Sequence, residues 1–139
     1  MSKGPNYKLC QMFGYKGQGE KVLTEDMISV MKFSNTGDML AVGDHAGRII
    51  VFDTTKKPKK KEDIFEYYAE FQAHTKEFDC LRSQEVEETV KDICWLNSQG
   101  KYHKLLTTNV KTIKLWKLFE KNEKRTVKST GSDLKMPTL

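Results

Sequence analysis

The sequence predicts an all-β protein, and three observations carry that prediction. Short apolar runs of strand length recur along the chain, turn-forming residues separate them, and one strand–turn–strand pattern occurs twice. The later copy is Leu105-Leu106-Thr107-Thr108-Asn109 followed by Thr112-Ile113-Lys114-Leu115-Trp116-Lys117. The earlier copy is Leu40-Ala41-Val42-Gly43-Asp44 followed by Gly47-Arg48-Ile49-Ile50-Val51-Phe52-Asp53. Each reads as an apolar strand, a polar turn and a second strand that closes on an aromatic residue. That is half a β-propeller blade, seen twice.

Composition bounds the function before any motif does. The chain has 139 residues, 37% of them hydrophobic and 31% charged, with a net charge of +5. The charge is unevenly placed. Between Glu62 and Asp92 ten acidic residues stand against Lys76, Arg82 and Lys91, a net of −7, which leaves +12 on the remainder. An acidic middle between basic flanks is more informative than the total. Cys10, Cys80 and Cys94 form no CxxC pair, and His45, His74 and His103 lie at no zinc spacing from them. No metal or other cofactor is therefore expected, and the thiols read as reduced, two of them as core residues. Residues 1–14 lack the apolar region of a signal peptide, and no apolar run approaches the ~20 residues a membrane helix requires. The expectation is a soluble protein of the cytoplasm with no membrane partner, a nuclear location being the second option.

Taken in order, Tyr7 to Phe13 alternates well enough for a strand, or for a tail ordered by its neighbours. Gly14 to Lys21 fails as a phosphate-binding loop. Glu20 separates Gly19 from Lys21, and Val22 stands where a hydroxyl would have to reach magnesium. Residues 1–27 thus read as an N-terminal strand and a flexible loop. Residues 28–33 form a strand with Ile28, Val30 and Phe33 inward, and Ser34 to Asp38 is a turn by its chemistry. Met39 to Val42 is nearly all apolar, as expected of a strand covered on both faces. The run Lys56 to Lys61 has no apolar face and contains Pro58. It reads as a solvated hairpin tip, with a nuclear-localisation or polyanion patch as the alternative. No aromatic interleaves these lysines to stack a base, so nucleic acid is not an expected partner.

Ile64 to His74 fits an outer strand, and a second meander follows through Val90–Leu96, Tyr102–Thr108 and Thr112–Leu118. Many WD-type repeats carry Gly-His near the first of these positions, the His bonding toward a buried Asp. Ala73-His74 fits a degenerate copy with a structural role. Phe52 and Trp116 lie 64 residues apart, against a period of ~40–45 for an ordinary repeat of this kind. The second blade therefore carries an insertion, placed at 56–62 and 77–88. The fold expected is a WD-repeat β-propeller, two blades of which fall within 28–118, so that it is incomplete as given. Residues 119–139 form a basic arm that stops short.

The residues quoted so far resemble the start of the 55-kilodalton B class of regulatory subunits of protein phosphatase 2A. The matches are Asp26-Met27-Ile28-Ser29, Asn35 to Asp44, Gly47 to Phe52, and Asn109 with Lys111 to Leu118. More specific are Phe71-Gln72-Ala73-His74, Glu77-Phe78-Asp79 and Glu85-Val86-Glu87-Glu88, which generic WD repeats lack. The resemblance runs from about Tyr7 to Leu118. It implies a seven-bladed propeller that docks on the helical-repeat scaffold subunit, works beside the catalytic subunit, and presents phosphoprotein substrates through an acidic face. On this chain that face maps to Phe78, Asp79, Glu85, Glu87 and Glu88 with His45. The scaffold-gripping arm maps to Lys121, Arg125, Leu134, Lys135 and Met136. Thr24 stands where the family usually has an acidic residue, and His45 replaces a lysine.

The resemblance implies a non-catalytic regulator, and no nucleophile–base spacing in the chain argues otherwise. Three alternatives stand beside it: a WD-repeat scaffold of another complex, a polyanion-binding module acting through the lysine clusters, or a truncated product without activity. Two blades cannot close a ring, so a truncated piece is the expectation.

Overall fold

The structure, a computed structural model, describes residues 4–14, 17–57, 60–98 and 100–120. Its regular structure is β throughout, apart from a 3-10 turn at Thr24–Asp26. The first sheet is an antiparallel meander of β1 (Ile28–Phe33), β2 (Met39–Asp44), β3 (Arg48–Asp53) and β4 (Glu66–Gln72) in that spatial order. A two-stranded hairpin of β5 (Glu77–Asp79) and β6 (Gln84–Val86) follows. The last sheet holds β7 (Asp92–Leu96), β8 (Tyr102–Thr108) and β9 (Ile113–Phe119), again in meander order.

Register confirms that the two copies of the sequence pattern are structural equivalents. Leu40 pairs with Phe52 across β2–β3, and Leu105 pairs with Trp116 across β8–β9. The first leucine of each copy thus meets its closing aromatic. The core lies between the two sheets. Met39, Ala41, Ile49 and Val51 of the first pack with Ile93, Trp95, Leu105 and Leu118 of the second, joined by Ala73 and Val90. Period-2 alternation makes this seam possible, because Ile93 and Trp95 point into it while Cys94 points away. Trp95 spans the seam: its ring is buried and its Nε1 donates to the Lys32 carbonyl at 2.9 Å.

Several expectations are corrected. Tyr7 to Phe13 forms no strand. It is irregular chain pinned by Gln11, which accepts from the Ile64 and Phe65 amides and donates to the Phe65 carbonyl, while Phe13 rests on Phe52 with centroids 4.3 Å apart. Ile28 and Phe33 are exposed rather than inward: the register shifts between Ile28 and Val30, and alternation from Val30, which packs on the core, puts Phe33 on the other face, beside Phe65. All three cysteines are exposed. Cys94 follows strand alternation onto the outer face, and Cys80 sits in the turn of the β5–β6 hairpin. The 56–62 part of the insertion lies within the first sheet, between β3 and its partner β4, so only 77–88 lies between the sheets.

Candidate functional site

The turn between β2 and β3 is the hub of one end of the molecule. Asp44, almost fully buried, accepts from the Arg48 amide at 2.9 Å and from Arg48 Nε at 2.7 Å. Arg48 Nη2 reaches Asp26 at 2.8 Å, and these two carboxylates, Asp26 first, hold its guanidinium above its ordinary pKa. This clamp ties the 3-10 turn carrying Glu25 to the hub. The Asp44 carbonyl also accepts from Gly47 and Val90, and the Thr89 hydroxyl donates to the His45 carbonyl. The chain entering β7 is thereby drawn against the same turn.

A buried row of polar side chains anchors the site from below. Trp116 Nε1 donates to Thr107 Oγ1 at 2.9 Å, Thr107 Oγ1 lies 2.9 Å from His74 Nε2, and His74 Nδ1 lies 3.4 Å from Thr112 Oγ1. Thr112 then donates to Asn109 Oδ1 at 3.1 Å, and Asn109 Nδ2 donates to the Glu87 carbonyl at 3.3 Å. A neutral His74 protonated on Nδ1 lets each hydroxyl donate once along this row. His74 therefore bonds to two threonines, not to the buried Asp that WD-type repeats suggest. The residue after Asn109 in the β8–β9 turn is Val110, which is exposed.

Burial, reinforced by the nearby Lys114 ammonium, holds the His74 pKa below its ordinary 6.5, with Glu77 opposing. The unfolded chain binds this proton more readily than the folded one, so stability is complete above about pH 6.5 and declines below it. The urea midpoint of the chain is expected to fall between pH 7 and pH 5. A His74→Gln variant should show a shallower decline over that interval. An unchanged slope would clear His74 of the effect.

Around this frame sits a cleft of about 370 Å³ lined by Thr24, Glu25, His45, Lys76, Glu85, Glu87, Glu88, Thr89 and Lys91. Four carboxylates face two ammonium groups, so the cleft is anionic. One of them, Glu87, lies 3.9 Å from Lys91 in an exposed pair worth little in water. The structure thus brings together His45, Glu85, Glu87 and Glu88 of the residues expected from sequence. Phe78 and Asp79 stand beside the cleft on the hairpin, where Phe78 pairs with Glu85 across β5–β6 and is 61% exposed. Asp79 is engaged locally. Its carboxylate accepts from Lys111 Nζ at 3.2 Å and from the Leu81 amide at 3.1 Å, and chiefly the Lys111 bond keeps its pKa below the ordinary range.

Glu25, Lys76 and Lys91 belong to the cleft and carried no signal in the sequence, because they converge from three segments that only the fold brings together. Lys121, Arg125, Leu134, Lys135 and Met136 lie outside the described residues. Among the described residues no cluster of His, Cys, Asp and Glu could hold a metal ion, and no helix is long and apolar enough to cross a membrane.

No protein-family model matches the chain. Curated relatives do. It is 44% identical over 127 residues to the PP2A regulatory B subunit of Schizosaccharomyces pombe, covering 91% of this chain and 27% of that protein. The protein of the same name from Candida tropicalis is 44% identical over 119 residues, 86% of this chain and 23% of the relative. The gamma isoform of the 55 kDa regulatory B subunit of serine/threonine-protein phosphatase 2A from Homo sapiens is 42% identical over 106 residues, 74% and 24% respectively. The chain spans about a quarter of the length of these relatives. Over that extent, and with two adjacent blade-like sheets, it matches a stretch of the B class of protein phosphatase 2A regulatory subunits.

Proposed function

We propose that this chain supplies the substrate-selecting end of a non-catalytic phosphatase 2A regulator, which docks on the scaffold subunit and presents substrates to the catalytic subunit. The observation that carries the reading is the convergence of Glu25, Glu85, Glu87 and Glu88 with His45 on one rigidly tied cleft. Such a surface attracts a basic segment, and focusing by neighbouring like charges raises its encounter rate. Phe78, exposed beside Glu85, offers that segment an apolar contact.

The double variant Glu85→Lys/Glu87→Lys tests this with a fluorescein-labelled basic peptide titrated into the chain. Affinity is expected to fall about tenfold or more and to lose most of its salt dependence. Unchanged affinity would remove the cleft from the mechanism. The same titration with single-stranded DNA tests the polyanion alternative, in which binding depends instead on the lysines of Lys56 to Lys61 and Lys121 to Lys128.

A further inference from the structure

The cleft holds more than its carboxylates. Lys76 and Lys91 line it too, one on each side of the acidic block in the chain. Both side chains are exposed, but both are rooted in fixed backbone. Lys76 lies two residues after His74, which is 1% exposed and whose amide donates to the Gly47 carbonyl at 3.0 Å. Lys91 follows the fully buried Val90, and its own amide donates to the Thr108 carbonyl at 2.7 Å.

The two ammonium groups are not spread evenly among the carboxylates. Lys91 Nζ lies 3.9 Å from Glu87. Glu77 pairs with Val86 across β5–β6, so the same register continued by one residue sets Lys76 opposite Glu87 as well. Among the described residues, Glu25, Glu85 and Glu88 have no lysine or arginine within ion-pair distance. The cleft therefore has two parts, three uncompensated carboxylates and a fourth bracketed by lysines. A run of positive charge fits the first part and is repelled at the second. Charges that share a cleft of about 370 Å³ lie inside the ~8 Å screening length of physiological salt, so the lysines act on whatever the glutamates bind. Lys91 also has to leave Glu87 before a basic ligand can use that carboxylate, and an exposed pair of this kind exchanges partners at small cost. Repulsion of the wrong ligand contributes to specificity as attraction of the right one does.

We infer that the cleft selects segments of two-sign charge, in which a basic cluster adjoins an acidic one. The basic side chains sit on Glu25, Glu85 and Glu88, and the ligand carboxylates on Lys76 and Lys91. The inference rests on the basic-segment reading above and narrows it. Three fluorescein-labelled peptides test it by anisotropy: the basic Arg-Lys-Arg-Gly-Gly-Gly, the two-sign Arg-Lys-Arg-Gly-Glu-Glu, and its scramble Glu-Arg-Gly-Lys-Glu-Arg. The two-sign peptide should bind the parent chain about threefold tighter than either of the others. In Lys76→Glu/Lys91→Glu the order should reverse, the basic peptide gaining about fivefold and the two-sign peptide losing as much. Lys56→Glu/Lys57→Glu changes the net charge equally at the other end of the molecule and should leave all three within about twofold. An equal response to both variants would assign the effect to net charge and overturn the inference. So would a parent chain that binds the scramble as well as the two-sign peptide, or the basic peptide better. The two readings fail separately. Should Glu85→Lys/Glu87→Lys leave the basic peptide unaffected, or the parent chain bind no peptide, the cleft reading falls and this inference with it. Should that reversal abolish basic-peptide binding while the lysine reversal alters no ranking, only selection by Lys76 and Lys91 falls.

Discussion

Gly47→Ala is expected to be the most damaging small substitution in the molecule, costing roughly 3–5 kcal/mol of stability. Gly47 has φ of +79°, where a side chain is strained, and a Cβ there would lie 2.1 Å from the His74 carbonyl oxygen and 2.7 Å from that of Glu88. Neither neighbour can yield cheaply, because both are backbone. The Gly47 carbonyl also accepts from the Ala73 and His74 amides, so displacement would disturb the join between β4 and the hairpin. Gly37 provides the control. Its φ is also +79°, but a Cβ there would meet nothing within 4 Å, so Gly37→Ala should cost only the strain of about 1–2 kcal/mol. Urea unfolding of the two variants separates strain from overlap. Similar midpoints would mean that the close approach to His74 and Glu88 contributes nothing. Because Glu88 lines the cleft, Gly47→Ala should also weaken binding of the basic peptide.

The second large effect is expected at Trp95. Trp95→Ala should cost about 3–5 kcal/mol, through lost burial and the cavity left between the sheets. Trp95→Phe keeps most of the ring and loses the bond to the Lys32 carbonyl, at a cost nearer 1–2 kcal/mol. The ring is 6% exposed and stands edge-on to His103, itself edge-on to Tyr68 of the first sheet. Trp95 therefore reports on whether the two sheets unfold as one unit. If Trp95→Ala shifted the midpoint by less than Trp95→Phe is expected to, the seam would not be what holds the sheets together.

The strands were legible because each obeys a local rule. Met39 to Val42 is apolar throughout and buried throughout, while 102–108 and 113–119 alternate and close on the leucine–aromatic register of the earlier copy. Turn residues such as Asn35, Gly37, Asp44 and Asn109 act within a few residues of themselves, so their chemistry is readable locally. The N-terminal segment was not legible, since Tyr7 to Phe13 alternates like a strand but is held by Gln11 and Phe13 against residues more than fifty positions ahead in one case and nearly forty in the other. That two of the three cysteines would be core failed for a similar reason: Cys94, for one, lies between the core residues Ile93 and Trp95, and only the pairing of β7 shows which face is covered.

The chain by itself determined that the protein is all-β, that a blade pattern repeats, and that Glu85, Glu87 and Glu88 form an acidic block with Phe78 nearby. Those are properties of spacing and composition, which survive in one dimension. The tertiary structure alone decided how the charge is arranged. Antiparallel meanders send alternate turns to opposite ends of a sheet. The hub turn at Asp44–Gly47 and the Asn109–Thr112 turn therefore gather Glu25, His45 and the acidic block at one end. The 54–65 loop and the Gly100–Lys101 turn collect Lys56, Lys101, Lys104 and Lys117 at the other. A sequence with an acidic middle and basic flanks becomes a molecule with an acidic end and a basic end, because strand direction, not chain order, sets where a charge meets solvent.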